Sequence, residues 1–335
     1  MNITMKYLFI MGVFMTVVSV CAQDIHFSQF MHNPMHQNPG NTGFHNGDYR
    51  VNAAFRDQWR SVTLPYNTFL LSADRSMIYK NLSVGLLFAH DVAGDGRFRT
   101  IDLMPSVALN FYLDKAKVHS IKPGIQLGLN FRELRSDQFT WNSQFGGHVF
   151  DPSLPTNENF QRQKKGNFTV NSGLIYQWFR GARTNFNVGV SAFNMNRQNQ
   201  GFFNEVIGRP IRIQFHGRAQ FRLNEKWDVL PAFSYNNQAQ YQEFLIGSEF
   251  KYIMKESRGE YLALYIGAFT RIKDAAFINI GVDYQNWWFG MSYDWNYSKL
   301  SPASRIRGGI EFTAQYIFKS FKPKKVIHRI CPVYI

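Results

Sequence analysis

The sequence predicts an all-β fold: a transmembrane antiparallel barrel of about fourteen strands, with non-barrel N- and C-terminal segments on the periplasmic side. Three observations predict it. A secretory leader opens the chain, period-two alternation rich in aromatic residues fills most of the remainder, and the connections between the alternating runs alternate between short and long.

The leader is residues 1–22. Met1 to Ala22 have a charged start, an apolar stretch from Leu8 to Val20 and the small-residue exit Val20-Cys21-Ala22, so cleavage is expected before Gln23. The apolar stretch is short for a membrane-spanning helix. Acylation of Cys21 would ask for a smaller residue than Val20 before it, so simple cleavage is the expectation. Cys331 is then the single cysteine of the mature protein, and no internal disulfide framework is expected.

Residues 23–48 do not alternate. They are rich in His, Asn, Pro and Gly with interspersed Phe and Met, which suits either a plug folded into a lumen or a periplasmic docking arm. The barrel follows over 49–318. Its strands are expected at 50–59, 66–78, 81–91, 99–113, 119–133, 167–179 and 183–196, then at 209–222, 226–238, 241–253, 260–271, 275–284, 286–298 and 305–318. In the clearest run, Phe289, Met291, Tyr293, Trp295 and Tyr297 alternate with Gly290, Ser292, Asp294, Asn296 and Ser298. A strand with one face in lipid and one in water reads this way. Short turns such as Asp114–Lys117 alternate with long stretches such as Leu134–Gly166, the pattern of a barrel with periplasmic turns and outer loops. Residues 319–335 form a basic periplasmic tail containing Lys322-Pro323-Lys324-Lys325.

Composition agrees and excludes other classes. Aromatic residues make up 16% of the 335 residues, including 32 Phe and 16 Tyr. Mean hydropathy is negative, which excludes a helical membrane protein but not a barrel, whose strands put alternate residues into lipid. The formal charge of +14 does not indicate nucleic acid in a secreted chain without a basic helical stripe or RNA-binding motif. It suits outer-membrane lipid headgroups, anionic polysaccharide or an acidic protein partner.

The residues after the leader carry a family resemblance. Asp24-Ile25-His26-Phe27-Ser28-Gln29-Phe30-Met31, the pairs Asn33-Pro34 and Asn38-Pro39, and Gly43 resemble the opening of the PorP/SprF family of type IX secretion outer-membrane proteins. Arg56-Asp57-Gln58-Trp59 is similar to the family's R-x-Q-W, and Pro65 with Ser72-Ala73-Asp74 to its continuation. Leu82–Leu86, Asp91 and Gly94, Arg307–Glu311, and Arg329 with Cys331-Pro332 follow in the family's order. His32 and His36 depart from it. The resemblance implies a non-enzymatic, cofactor-free outer-membrane component of type IX secretion. Such a component assists export or surface attachment of an adhesin, or couples to periplasmic gliding and secretion machinery. The alternative is a passive porin or small-molecule transporter.

Candidate sites are few. His32 and His36 have helical zinc spacing, but Pro34 between them argues against a helix and no further ligand motif accompanies them. Ser83 and His90 lack a G-x-S-x-G context, so catalysis is not expected. Asp91–Gly96 reads as a hairpin loop and not a calcium loop. Trp59 is expected in the interfacial aromatic girdle, and Arg56 as a lumenal or docking charge. Partner binding is expected at Phe27, Phe30 and Met31 as anchors, with Arg56, and at Lys322, Lys324 and Lys325 as charges that steer an acidic partner.

Overall fold

The computed structural model describes residues 24–60, 64–94, 96–135, 139–147, 149–156, 163–202, 206–257, 259–298 and 301–320. The leader and the tail lysines Lys322, Lys324 and Lys325 lie outside the described residues.

Fourteen antiparallel staves close into a barrel. They are β1 Tyr49–Gln58, β2 Tyr66–Tyr79, β3 Leu82–Ala93 and β4 Phe98–Leu109, the last continued by Phe111–Tyr112. There follow β5 His119–Glu133, β6 Lys164–Gly181, β7 Thr184–Phe193, β8 Arg212–Arg222 and β9 Trp227–Gln238. The series ends with β10 Tyr241–Ser257, β11 Glu260–Arg271, β12 Ala275–Tyr284, β13 Trp287–Asn296 and β14 Arg307–Phe318. Each strand pairs with its neighbours in sequence, and β1 closes the ring against β14 in a register running from Tyr49↔Phe318 to Asp57↔Ile310. Closure leaves no edge of unpaired backbone groups, which is what permits a sheet to stand in hydrocarbon.

The alternation in sequence becomes two chemically different faces. On β13, Phe289, Met291 and Trp295 are exposed on the outside, whereas Trp288, Ser292 and Asp294 are buried inside. The outward apolar wall includes Val51, Leu71, Leu103, Leu127 and Ile266. A shallow groove of about 860 Å3 on it, lined by Phe55, Phe69, Phe250 and Ile266, is lipid-facing surface. Tyr49, Tyr79, Tyr112, Trp227, Tyr284 and Trp287 stand exposed at one end of the barrel, where a ring of amphipathic aromatics sits at the level of the headgroups. That end also carries both extremities of the barrel and the short turns, and is the periplasmic end. The opposite end carries the long connections 134–163 and 194–211, and is the outer end.

Residues 24–48 lie inside the barrel. They thread it lengthwise: Asp24 meets Asn194 and Gln238 at the outer end, Asn33 meets Asn52 midway, and Gly43 meets Asp74 near the periplasmic end. Of the plug and the periplasmic docking arm that the sequence leaves open, the structure has the plug, so the N-terminal segment is not on the periplasmic side. Its backbone needs many hydrogen-bond partners, and the polar inner faces of the strands supply them. The two Asn-Pro pairs explain its shape. Pro34 and Pro39 each start a short helical turn, Pro34–Gln37 and Pro39–Asn41, where a missing N–H costs nothing. Asn38 caps the second by accepting from the Gly40 amide at 2.8 Å. Gly124 on β5 gives this turn its seat, since a side-chain carbon there would collide with the Pro39 backbone.

Candidate functional site

The plug is held at three levels. At the outer level Arg56 on β1 pairs with Glu311, its direct cross-strand neighbour on β14, at 3.0 Å, and with Asp294 on β13 at 2.8 Å. All three side chains are buried to 2% or less. Ser28 of the plug sits among them: its hydroxyl donates to Asp294 at 2.8 Å and accepts from Arg56, and the Ser28 and Gln29 amides donate to Glu311 at 2.8 and 3.0 Å. One guanidinium therefore joins two strands across the closing seam and fastens the plug to both. Arg271 extends the network to Glu243 at 3.1 Å and to Asp274 at 3.2 Å. Asp24 adds a second outer tie, pairing with Arg209 at 2.6 Å and Arg212 at 3.7 Å. Burial pushes the Asp24 carboxyl up, but the two arginines outweigh it and hold it well below the usual carboxylate range.

At the middle level His32 Nε2 meets Glu249 Oε1 at 2.9 Å, and its ring stacks on Trp288 with centroids 3.6 Å apart. Gly290 and Gly281 leave room for that indole, because a side-chain carbon at Gly290 would strike it. At the periplasmic level Arg50 donates two hydrogen bonds to Asp74, at 2.9 and 2.7 Å, and two more to the plug carbonyls of Phe44 and Asn41. Asp74 also accepts from the Gly43 amide at 2.6 Å.

The structure relocates the expected anchors. Phe27 is 3% exposed and packs with Met35, Ala54 and Leu70, while Phe30 and Met31 pack with Leu245, Phe269 and Phe277. They fill the lumen and are not surface anchors for a partner. Their hydrophobicity suits either use, and only the fold separates the two. Arg56 is lumenal, and both of its terminal nitrogens are taken up by Ser28, Glu311 and Asp294, so it offers no docking charge. Trp59 leaves the expected girdle: β1 ends at Gln58, the backbone turns left-handed at Trp59 with φ 63°, and the residue lines the polar outer mouth beside His26. His32 and His36 engage different partners, Glu249 for the first and the edge of Phe27 for the second. Ser83 and His90 are seven residues apart on β3 and so take opposite faces. Asp91 accepts from Thr68 at 2.6 Å, and Gly94 turns the chain at φ 65°.

Sequence reading missed Asp24, Glu249, Trp288 and Lys122. The first three hold the plug, and each strand residue among them lay on a wet face of an alternating run, which was the available signal. Among the described residues, the larger spaces between the plug and the wall lie at the mouths, about 330 and 460 Å3 at the outer end and about 620 Å3 at the periplasmic end, and a small one of about 30 Å3 lies beside His36.

Comparison with known proteins extends this picture. A family model described as "Type IX secretion system membrane protein PorP/SprF" matches residues 19–316. No curated protein matches the chain. Among solved structures, the toluene transporter TodX of Pseudomonas putida is similar at a TM-score of 0.51 and 10% identity, over 84% of this chain and 92% of that one. The CymD monoaromatic hydrocarbon channel is similar at a TM-score of 0.50 and 8% identity, over 86% and 93%. At such identities the likeness is one of fold.

Proposed function

The chain belongs to the PorP/SprF family of type IX secretion system membrane proteins, and on that premise we propose that it is a plugged outer-membrane scaffold, acting by protein contact and not by conduction or catalysis. Its contacts are with an exported surface adhesin, with periplasmic secretion or gliding components, or with both, and its role is to assist export or attachment of the cargo. The observation that supports this reading is the occupied lumen. A porin needs an open aqueous path lined by charge, whereas here the inward charges of Arg56, Asp294, Glu311 and Arg271 are spent on one another and on the plug. The hydrocarbons named for CymD and TodX are not carried over to this chain, since fold alone does not convey a substrate.

The test is an in-frame deletion paired with planar-bilayer recording of the purified protein. The expected result is loss of cargo from the cell surface, co-purification of the intact barrel with a type IX component, and no steady conductance. Steady conductance together with normal cargo display in the deletion strain would return the porin reading.

A further inference from the structure

The periplasmic cavity differs from the rest of the lumen in its charge. It lies between plug residues Thr42–Asn46 and the ends of several strands, and among the described residues no carboxylate lines it. Lys122 of β5 points into it, is 8% exposed, and has no hydrogen bond or ion pair among the described residues. Its ammonium stands 3.5 Å from the centroid of the Phe44 ring. That contact replaces part of the lost hydration of a buried cation but supplies no counter-charge. Both ring nitrogens of His45 and the Oδ1 atom of Asn110 are buried on the same cavity without hydrogen-bond partners, with His45 Nε2 3.8 Å from the Asp74 carboxylate behind it. Lys117 stands exposed on its rim.

We propose that this cavity is a receptor for an acidic peptide segment of a periplasmic protein, with Lys122 taking a carboxylate at its floor and Lys117 drawing the segment in at its rim. The proposal rests on the reading that the chain works by protein contact. A volume of about 620 Å3 is in the range of ligand sites, and a mouth open to the periplasm admits a chain end or loop. The lining favours a peptide over a bare phosphate. Gln177, Asn185, Asn187 and Gln220 offer acceptors as well as donors, which match the N–H and C=O groups of a backbone. Phosphate also carries O–H groups at neutral pH, but it is small beside a cavity of about 620 Å3 and has no chain with which to follow the spread of donors and acceptors. The chain's own tail is the wrong occupant, because Lys319, Lys322, Lys324, Lys325 and Arg329 give it the cavity's own sign.

The test uses the purified full chain in detergent with three probes: a dye-labelled, end-blocked tri-glutamate peptide, its tri-glutamine counterpart and inorganic phosphate. Tri-glutamate is expected to bind, to weaken with added salt, and to lose about tenfold or more in affinity in Lys122→Gln while Lys122→Arg retains binding. Lys117→Gln is expected to lose about twofold to threefold, as a rim charge does. If Lys122→Gln fails to assemble, protection of Lys122 from amine acetylation by tri-glutamate in the unmodified protein gives the same answer. Absence of tri-glutamate binding, equal binding of tri-glutamine, or displacement of the peptide by equimolar phosphate overturns the proposal. None of these outcomes touches the secretion phenotype, so the cavity and the general function fail separately.

Discussion

The outer and periplasmic ends of the lumen solve the same problem of buried charge in opposite ways. At the outer end Arg56, Arg271, Asp294, Glu311 and Glu243 form a closed network with Ser28, and Asp24 has two arginines of its own. At the periplasmic end Arg50 and Asp74 are matched, but Lys122 is left without a counter-charge among the described residues. The difference separates two uses of inward charge. A charge-matched network fastens one conformation, whereas an unmatched cation facing a cavity is available to something outside the chain.

The most severe way to break the comparison is Arg56→Met. Removing one member of a fully desolvated network strands Glu311 and Asp294, at a cost of about 3–5 kcal/mol. The expected readout is a barrel that unfolds at markedly lower urea and loses heat-resistant migration on gels. Adding Glu311→Gln should restore part of the loss. If Arg56→Met leaves the unfolding midpoint where it was, the outer end is not the lock described.

A smaller effect is expected from Gly124→Val, which pushes the Pro39 turn off its seat without touching any charge. Overpacking of this kind costs about 1–3 kcal/mol. Because the turn lies in the half of the plug below the Arg56 network, residues 38–48 should exchange amide hydrogens faster while residues 24–29 stay protected. Uniform loosening would show that the two ends are one cooperative unit.

The smallest effect, and the sharpest, is in pH. Burial lowers all four plug histidines: His26 well below its ordinary 6.5, His32 also below it, His36 to about 3 and His45 to about 4, the last helped by Arg50. A histidine lowered on folding stays neutral in the folded protein while the unfolded chain takes up a proton. Its contribution is therefore intact above pH 6.5 and declines as pH falls toward its folded value. Asp24 runs the same way in a lower window: its lowered carboxyl keeps its contribution above 3.8 and loses it only beneath. Protection factors, corrected for the intrinsic slowing of amide exchange in acid, should thus fall across the plug from pH 6.5 to 4. His45→Gln should flatten the response at residues 43–48, and Asp24→Asn should loosen residues 24–29 about equally throughout that interval. A response at residues 43–48 that survives His45→Gln would assign it elsewhere.

Much of the barrel was legible before the fold was seen, because alternation is a local signal. The strands at 119–133, 260–271 and 275–284 begin and end where the alternation does. Lipid on one side and polar packing on the other leave each residue there one acceptable face. Trp59 misled because the girdle rule presumes a continuing strand, and the left-handed turn after Gln58 removes it. The plug was the harder case. Phe27, Phe30 and Met31 follow no period, and burial in a lumen or in a partner asks for the same hydrophobicity. Arg56 could be placed on a wet face, but its link to Glu311 joins residues from opposite ends of the barrel sequence, a relation that no local window contains.

That long-range seam also imposes an order in time. Tyr49 cannot meet Phe318 until nearly the entire chain has been supplied, and contacts of such sequence separation are the slowest to form. Residues 24–48 gain their full set of partners only when that seam shuts. Half of the groups that grip Ser28, Asp294 and Glu311 among them, arrive only with the last two strands. The segment is therefore gripped as a plug only in the step that turns a sheet into a barrel.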